Sequence, residues 1–334
     1  MNENPFIFGS PVSRENFYNR KEEIEAAMGF LKKMQSFSVV GERRIGKTSF
    51  LKHILSKESL QRYGINPENH VVVCFSLSSL HEISKKSLIS AIIEKIAVSI
   101  QIETDSANVF DEFKAHIRSL ALNGKNLIVA LDEFDVIVPI LDDSFSHWLR
   151  FIFQKENVAA AITVSQTTVR ELESSGGVAS PLFNIFSNIF LGLFKQSVTE
   201  NMITDMFQKG GMNLEEEEIA FLLLLSGGNP YFIQFLGHHY YEEKRKNRKV
   251  VSEEFRKNML LYMNDQFESY WKHLTREEKK FLDRRENSKN DQISSILERK
   301  GFVFSKKGKF KIFSLLFQEF INNRAKIDKD LIFD

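Results

Sequence analysis

Gly41-Glu42-Arg43-Arg44-Ile45-Gly46-Lys47-Thr48 stands between a short apolar run, Ser36–Val40, and a segment of helical spacing that starts at Lys47 and carries Phe50, Leu51 and Ile54. Strand, loop and helix follow one another, and the loop matches G-x-x-x-x-G-K-[ST] at every defined position. Glycines let the backbone curl until its N–H groups face inward, and the helix N-terminus adds a dipole that favours phosphate. The pattern predicts a phosphate cradle from Gly41, Arg44, Ile45, Gly46, Lys47, Thr48 and Ser49, with the Lys47 ammonium reaching the β- and γ-phosphates. Thr48 is the expected Mg²⁺ ligand, because that ion takes oxygen donors and keeps most of its water, so one protein hydroxyl beside phosphates suits it.

A site of this kind needs a second strand that ends in acids. Asn126-Leu-Ile-Val-Ala-Leu131-Asp132-Glu133-Phe-Asp135 supplies it, with five apolar residues ahead of the carboxylates. Unbroken apolar runs fit parallel strands covered on both faces, and ligands collect at the carboxyl ends of such strands. Asp132 is expected to face the metal, and Glu133 to orient or deprotonate an attacking water. Asp135 reads either as part of the site or as an acidic loop cap. A further strand, Ala159–Gln166, ends in polar side chains, of which Thr163, Ser165 or Gln166 can sense the γ-phosphate; plain strand termination is the competing reading. With His70–Phe75 and Asn188–Leu193 these runs give about five parallel strands separated by helical segments, a doubly wound α/β sheet.

The rest of the composition excludes more than it assigns. The chain has 334 residues, 43% hydrophobic and 27% charged, which is globular and long enough for two or three domains. A single cysteine, Cys74, rules out an internal disulfide and a thiolate metal cluster, and points to a reducing compartment. The N-terminus shows no basic-then-apolar leader and no window approaches a bilayer span, so a cytoplasmic protein without membrane insertion is expected. The 31 phenylalanines are read as core filling. Net charge is +1, yet residues 238–334 hold 23 Lys and Arg against 16 Asp and Glu. Such a basic tail can attract phosphate backbones or an acidic partner, or form a solvated helix surface. His238 and His239 are adjacent, so they point in different directions, and no neighbouring Cys or Asp completes a metal set. No G-x-S-x-G and no other nucleophile arrangement is present.

Taken together, these residues resemble the prokaryotic ATPases of the STAND and archaeal-type group, relatives of the origin-recognition and AAA+ proteins. Near the start, Asn4–Val12 and Phe17-Tyr18-Asn19-Arg20-Lys21-Glu22-Glu23 look like the family's segment before the first helix, which lies near adenine and makes Arg20 and Glu23 candidate nucleotide contacts, with a helix-starting ion pair as the competing reading. Asn19 stands where the family usually has glycine. Ser180–Gly192 resembles the segment into the last core strand. Downstream, the helical run Glu215–Leu225, the break at Gly228-Asn229-Pro230 and a second helix to about Glu243 resemble a helical lid, in which Pro230 and Tyr231 are candidate base contacts. No arginine follows in that helix before Lys244-Arg245. The resemblance therefore implies a slow, Mg²⁺-dependent ATPase switch rather than a fast ring motor, with Arg150 or Arg170 able to act in trans. From about Gln266 the order helix, helix, hairpin resembles a winged helix, with Lys306, Lys307, Lys309 and Lys311 around the hairpin. It can place a helix in the DNA major groove and its basic wing on phosphates, or close against the nucleotide domain through protein contacts. The expected division is a core at 1–195, a lid at 196–262 and a winged helix at 263–334. The expected ligands are ATP or ADP and Mg²⁺, and the expected partners are DNA, a protein effector or a second copy of the chain. A DNA-binding loader or regulator is the alternative function.

Overall fold

The computed structural model describes residues 3–99, 108–155, 158–179, 181–246, 250–284, 291–306 and 309–330. It divides into two compact units, one made of residues 13–41 and 47–191 and the other of residues 1–12, 42–46 and 192–334.

The first unit is built on five strands: β1 (Phe37–Val40), β2 (His70–Ser76), β3 (Asn126–Asp132), β4 (Ala159–Ser165) and β5 (Ser187–Phe190). All pairings are parallel and the spatial order is β2-β3-β4-β1-β5. Every residue of β1 and β4, and all of β3 after Asn126, is buried, whereas the edge strands β2 and β5 are only partly so. This is why the central strands read as continuous apolar runs and the edges do not. On one face Val71, Val73, Leu127, Val129, Ala159 and Ala161 pack with Ile89, Ile96, Phe113 and Phe145 of the helices Lys85–Ser99, Val109–Leu122 and Asp143–Lys155. On the other face Phe37 stacks on Phe30 of the helix Lys21–Lys32, with ring centroids 5.7 Å apart. Helices thus cover both faces, as a doubly wound α/β sheet requires. The fifth strand spans Ser187–Phe190 rather than reaching Leu193.

Among the described residues, the elements of the second unit are helices and one hairpin. Its helices are Gln196–Lys209, Glu216–Ser226, Pro230–Arg245, Glu253–Tyr262, Asn264–His273, Arg276–Arg284, Asp291–Lys300 and Leu315–Asp330. The hairpin pairs β6 (Val303–Lys306) with β7 (Lys309–Ile312) in antiparallel register, Val303 opposite Ile312 and Phe304 opposite Lys311. Helix Leu315–Asp330 has no counterpart in the order expected from sequence. Its Phe317 and Phe320 close an aromatic core with Phe232, Phe267, Tyr270, Phe302 and Phe313, which accounts for part of the phenylalanine excess as core filling. Charged pairs hold the helices to one another: Lys244 meets Glu218 at 2.6 Å and Lys300 meets the buried Glu278 at 2.7 Å.

The break at Ser226–Pro230 is made by its glycines. Gly227 caps helix Glu216–Ser226 in the left-handed region, at φ 58°. A Cβ there would lie 1.9 Å from the Phe313 carbonyl oxygen, and one on Gly228 would lie 2.5 Å from that of Phe194. Only glycine satisfies both the conformation and the approach. Asn229 then caps the next helix, its side-chain oxygen accepting from the Tyr231 and Phe232 N–H groups, and Pro230 occupies the first helical position. The N-terminal segment packs on this same helix: the Phe6 ring fills the space over Gly237, and the Ile7 N–H donates to Gln234 Oε1 at 2.9 Å.

Candidate functional site

β1 ends at Val40, and the chain turns through Gly41–Gly46 into the helix Lys47–Ile54, whose Phe50, Leu51 and Ile54 are buried as their spacing predicts. The Gly41 N–H donates to the Ser165 carbonyl at the end of β4 and so still belongs to the sheet. Arg44 and Gly46 adopt positive φ, 62° and 96°, and Ile45 is buried. The Lys47 ammonium reaches back across the loop and donates to the Gly41 carbonyl at 2.7 Å. Loop curl and folded-back lysine thus appear together in the eight residues the motif specifies.

β4 separates β1 from β3, yet the acidic end of β3 meets the helix that follows the loop. The Thr48 hydroxyl donates to Asp132 Oδ2 at 2.6 Å, and Asp132 Oδ1 accepts the Glu133 N–H at 2.8 Å. Asp132 is 7% exposed. A hydroxyl and a carboxylate in contact are hard oxygen donors of the kind Mg²⁺ selects, so the residues present fit that ion. Glu133 is exposed and left-handed at φ 55°, at the head of a short 3₁₀ turn, Phe134–Ile140. Its carboxylate accepts the hydroxyl of Ser76 at the end of β2. Sequence reasoning missed Ser76. The signal lay in the parallel register, which sets Ser76 opposite Asp132 at the carboxyl edge.

The structure separates the three candidate sensors. Thr163 is buried and its hydroxyl donates to Ser38 across the strands, while Ser165 donates to the Thr167 carbonyl at 2.6 Å. Gln166 is half-buried, and its N–H donates to both oxygens of Asp135 at 3.0 and 3.1 Å. Asp135 is therefore a cap, and what it caps is the backbone that presents Gln166.

Other expected site residues fall as follows. Asn19 and Arg20 are both left-handed, at φ 61° and 70°. That conformation explains asparagine where the family has glycine, since Asn tolerates it better than most residues. Arg20 is buried and pairs with Glu23 at 3.1 Å. Cys74 is exposed on β2, and partial desolvation first, then the neighbouring Asp132 charge, pushes its thiol up. Arg150 bonds Gln154 at 3.1 Å, and exposed Arg170 lies over the Phe183 ring at 4.4 Å. In the second unit Arg44 lies over Tyr231 with its guanidinium carbon 4.3 Å from the ring centroid, and the space beside Gly46 faces Pro230. Lys309 and Lys311 are exposed on β7; Lys307, Ser180 and the side chain of Lys306 lie outside the described residues. Among the described residues no group of His, Cys, Asp or Glu forms a ready metal cluster, and no helix is long and apolar enough to cross a membrane.

No curated protein matches the chain by sequence. Among solved structures, a Walker-type ATPase of Pyrococcus abyssi superposes with a TM-score of 0.66 at 14% identity, covering 95% of this chain and 99% of that one. The ORC2 protein of Aeropyrum pernix in its ADPNP–ADP complexes gives 0.52 at 15% identity over 93% and 95% of the two chains. At such identities the likeness is one of fold. The family described as an ATPase domain predominantly from Archaea matches residues 17–236, a span that holds the loop, the acidic strand end and the turn at Asn229. The chain belongs to this archaeal-type ATPase family.

Proposed function

We propose that the chain binds ATP with its triphosphate in the loop 41–48, hydrolyses it slowly and uses the nucleotide state as a conformational switch. The observation that carries this reading is the Thr48–Asp132 contact with Glu133 at the adjacent left-handed position. Lys47 exchanges its Gly41 carbonyl for phosphate oxygen. Thr48 and Asp132 are the residues that would hold Mg²⁺, which supplies charge neutralisation at the phosphates. Glu133, once released by Ser76, takes the proton of the attacking water, and Gln166 presents its amide to the γ-phosphate, held by Asp135. Catalysis of this kind rests on positioning and electrostatics. Pro230 and Tyr231, and the Arg20–Glu23 pair, remain the proposed contacts on the adenosine side.

The functional division we propose is a core at 1–195, a helical lid at 196–262 and a winged helix at 263–334, working in the cytoplasm with a protein effector or a second copy of the chain. Replacing Lys47 by Ala abolishes nucleotide binding, and Glu133→Gln keeps binding while trapping ATP. Normal turnover in the second variant would overturn the assignment. A second reading, a DNA-binding regulator, is favoured by the exposed Lys309 and Lys311 with Phe310 and Ile312 turned inward between them. Gel shifts of the full chain at several salt concentrations separate the two, because phosphate contacts give a steep salt slope.

A further inference from the structure

The turn at Asn229 and the helix Asn264–His273 both reach the loop residues 42–46 within the second unit. The Tyr270 hydroxyl donates to the Arg43 carbonyl at 3.0 Å. The Asn229 side chain lies beside the Tyr270 hydroxyl, where its donor side favours the phenolate, while its own oxygen caps the Tyr231 and Phe232 amides. Tyr231 carries the Arg44 guanidinium, and Pro230 faces Gly46. Tyr270 is 2% exposed, and burial, ahead of the Glu42 charge, pushes its phenol well up, so it stays a donor.

A trans peptide is planar, and its C=O and N–H point in opposite directions. Fixing the Arg43 carbonyl on Tyr270 therefore fixes the Arg44 N–H away from Tyr270. That peptide leads into Arg44, a non-glycine residue at φ 62°, where an L side chain is strained and outside contacts are needed to hold it. We infer that Tyr270, oriented by Asn229, is a positioning residue for the phosphate loop, holding the Arg44 amide in the direction that receives phosphate. The inference rests on the nucleotide-binding reading above. Tyr270 lies beyond the matched ATPase domain at 17–236, so this brace makes nucleotide affinity depend on how the C-terminal segment is seated.

The test compares two conservative variants of the full chain. Tyr270→Phe removes the brace. Tyr241→Phe removes a chemically equal bond, from a buried Tyr241 hydroxyl to the Gly210 carbonyl at 2.8 Å, away from the loop. By calorimetry with ADP, Tyr270→Phe binds about five- to tenfold more weakly, the worth of one oriented hydrogen bond, and Tyr241→Phe binds as the wild type does. Both lose thermal stability by similar amounts. Asn229→Asp reads the same link independently: aspartate keeps the helix cap, but its carboxylate draws the Tyr270 hydroxyl from Arg43, and ADP affinity falls at least as far. Similar thermal losses with unchanged ADP affinity in Tyr270→Phe and Asn229→Asp would overturn the brace. Absence of ADP binding by the wild-type chain would instead overturn the nucleotide reading beneath it.

Discussion

The Thr48 hydroxyl donates to the Asp132 carboxylate at 2.6 Å, although 84 positions separate the two residues in the chain. A strand end and a helix start are thereby brought into contact, and in the proposed site their two oxygens share one cation. Replacing Thr48 by Val keeps the shape and removes one oxygen. The expected result is loss of most of the Mg²⁺-dependent gain in ATP affinity, about 1.5–3 kcal/mol or at least tenfold, with Mg²⁺-free binding little changed. Titrating nucleotide with and without Mg²⁺ checks this, and an equal loss in both conditions would count against Thr48 as a metal ligand.

Ser76 donates to the exposed Glu133 carboxylate, a bond that the proposed mechanism must break before Glu133 can take a proton. Ser76→Ala should raise turnover by roughly three- to tenfold, the rate equivalent of one hydrogen bond, without changing KM. Glu133→Gln should lower turnover by about 10²–10⁴-fold. Steady-state phosphate release measures both, and a slower Ser76→Ala enzyme would show that the contact assists catalysis rather than restraining it.

Asp135 accepts the Gln166 N–H with both oxygens. Asp135→Ala leaves that amide without its partner, at about 1 kcal/mol of stability, and should slow hydrolysis. Asp135→Asn keeps one acceptor and should stay close to the wild type. If the two variants behave alike, the orientation of Gln166 is set elsewhere.

Gly227 has no room for a side chain. Gly227→Ala combines a left-handed residue with a clash against the Phe313 carbonyl, and should cost at least about 3 kcal/mol in urea denaturation, with an unchanged m-value.

Glu218 carries the pH dependence of the helix pair that follows the core. Burial alone would raise its carboxyl, but Lys244, the Glu215 N–H and the Tyr240 hydroxyl outweigh burial and hold it below its ordinary 4.5. A carboxylate depressed in the folded state stabilises above its unfolded pKa, and that contribution is lost as pH falls through the folded value. Thermal melts should therefore show a stability loss below about pH 4.5, and Glu218→Gln should flatten it. An unchanged slope in the variant would assign the loss to other carboxylates.

Much of this was legible because the physics is local. Gly41–Thr48 announces its own turn, and the apolar runs at 127–131 and 159–162 are continuous because those strands are covered on both faces. What escaped depends on three-dimensional neighbours. Ser76 is an ordinary serine until the β2–β3 register sets it opposite Asp132. Thr163 reads as a site residue at a strand end, yet it lies inside the sheet, bonded to Ser38. Tyr270 carries no motif, and its role follows from a backbone carbonyl 227 positions away. Helix Leu315–Asp330 was not anticipated, because its buried Leu316, Phe317, Phe320 and Ile321 gain their meaning from the phenylalanines they meet.

The central claim is that the loop 41–48 takes a triphosphate. Isothermal calorimetry of the wild-type chain and Lys47→Ala with ADP and a non-hydrolysable ATP analogue tests it directly. The account requires one site per chain in the wild type and none in the variant, with both proteins folded by circular dichroism. Heat-silent wild-type protein, or equal affinity in the two proteins, would contradict it.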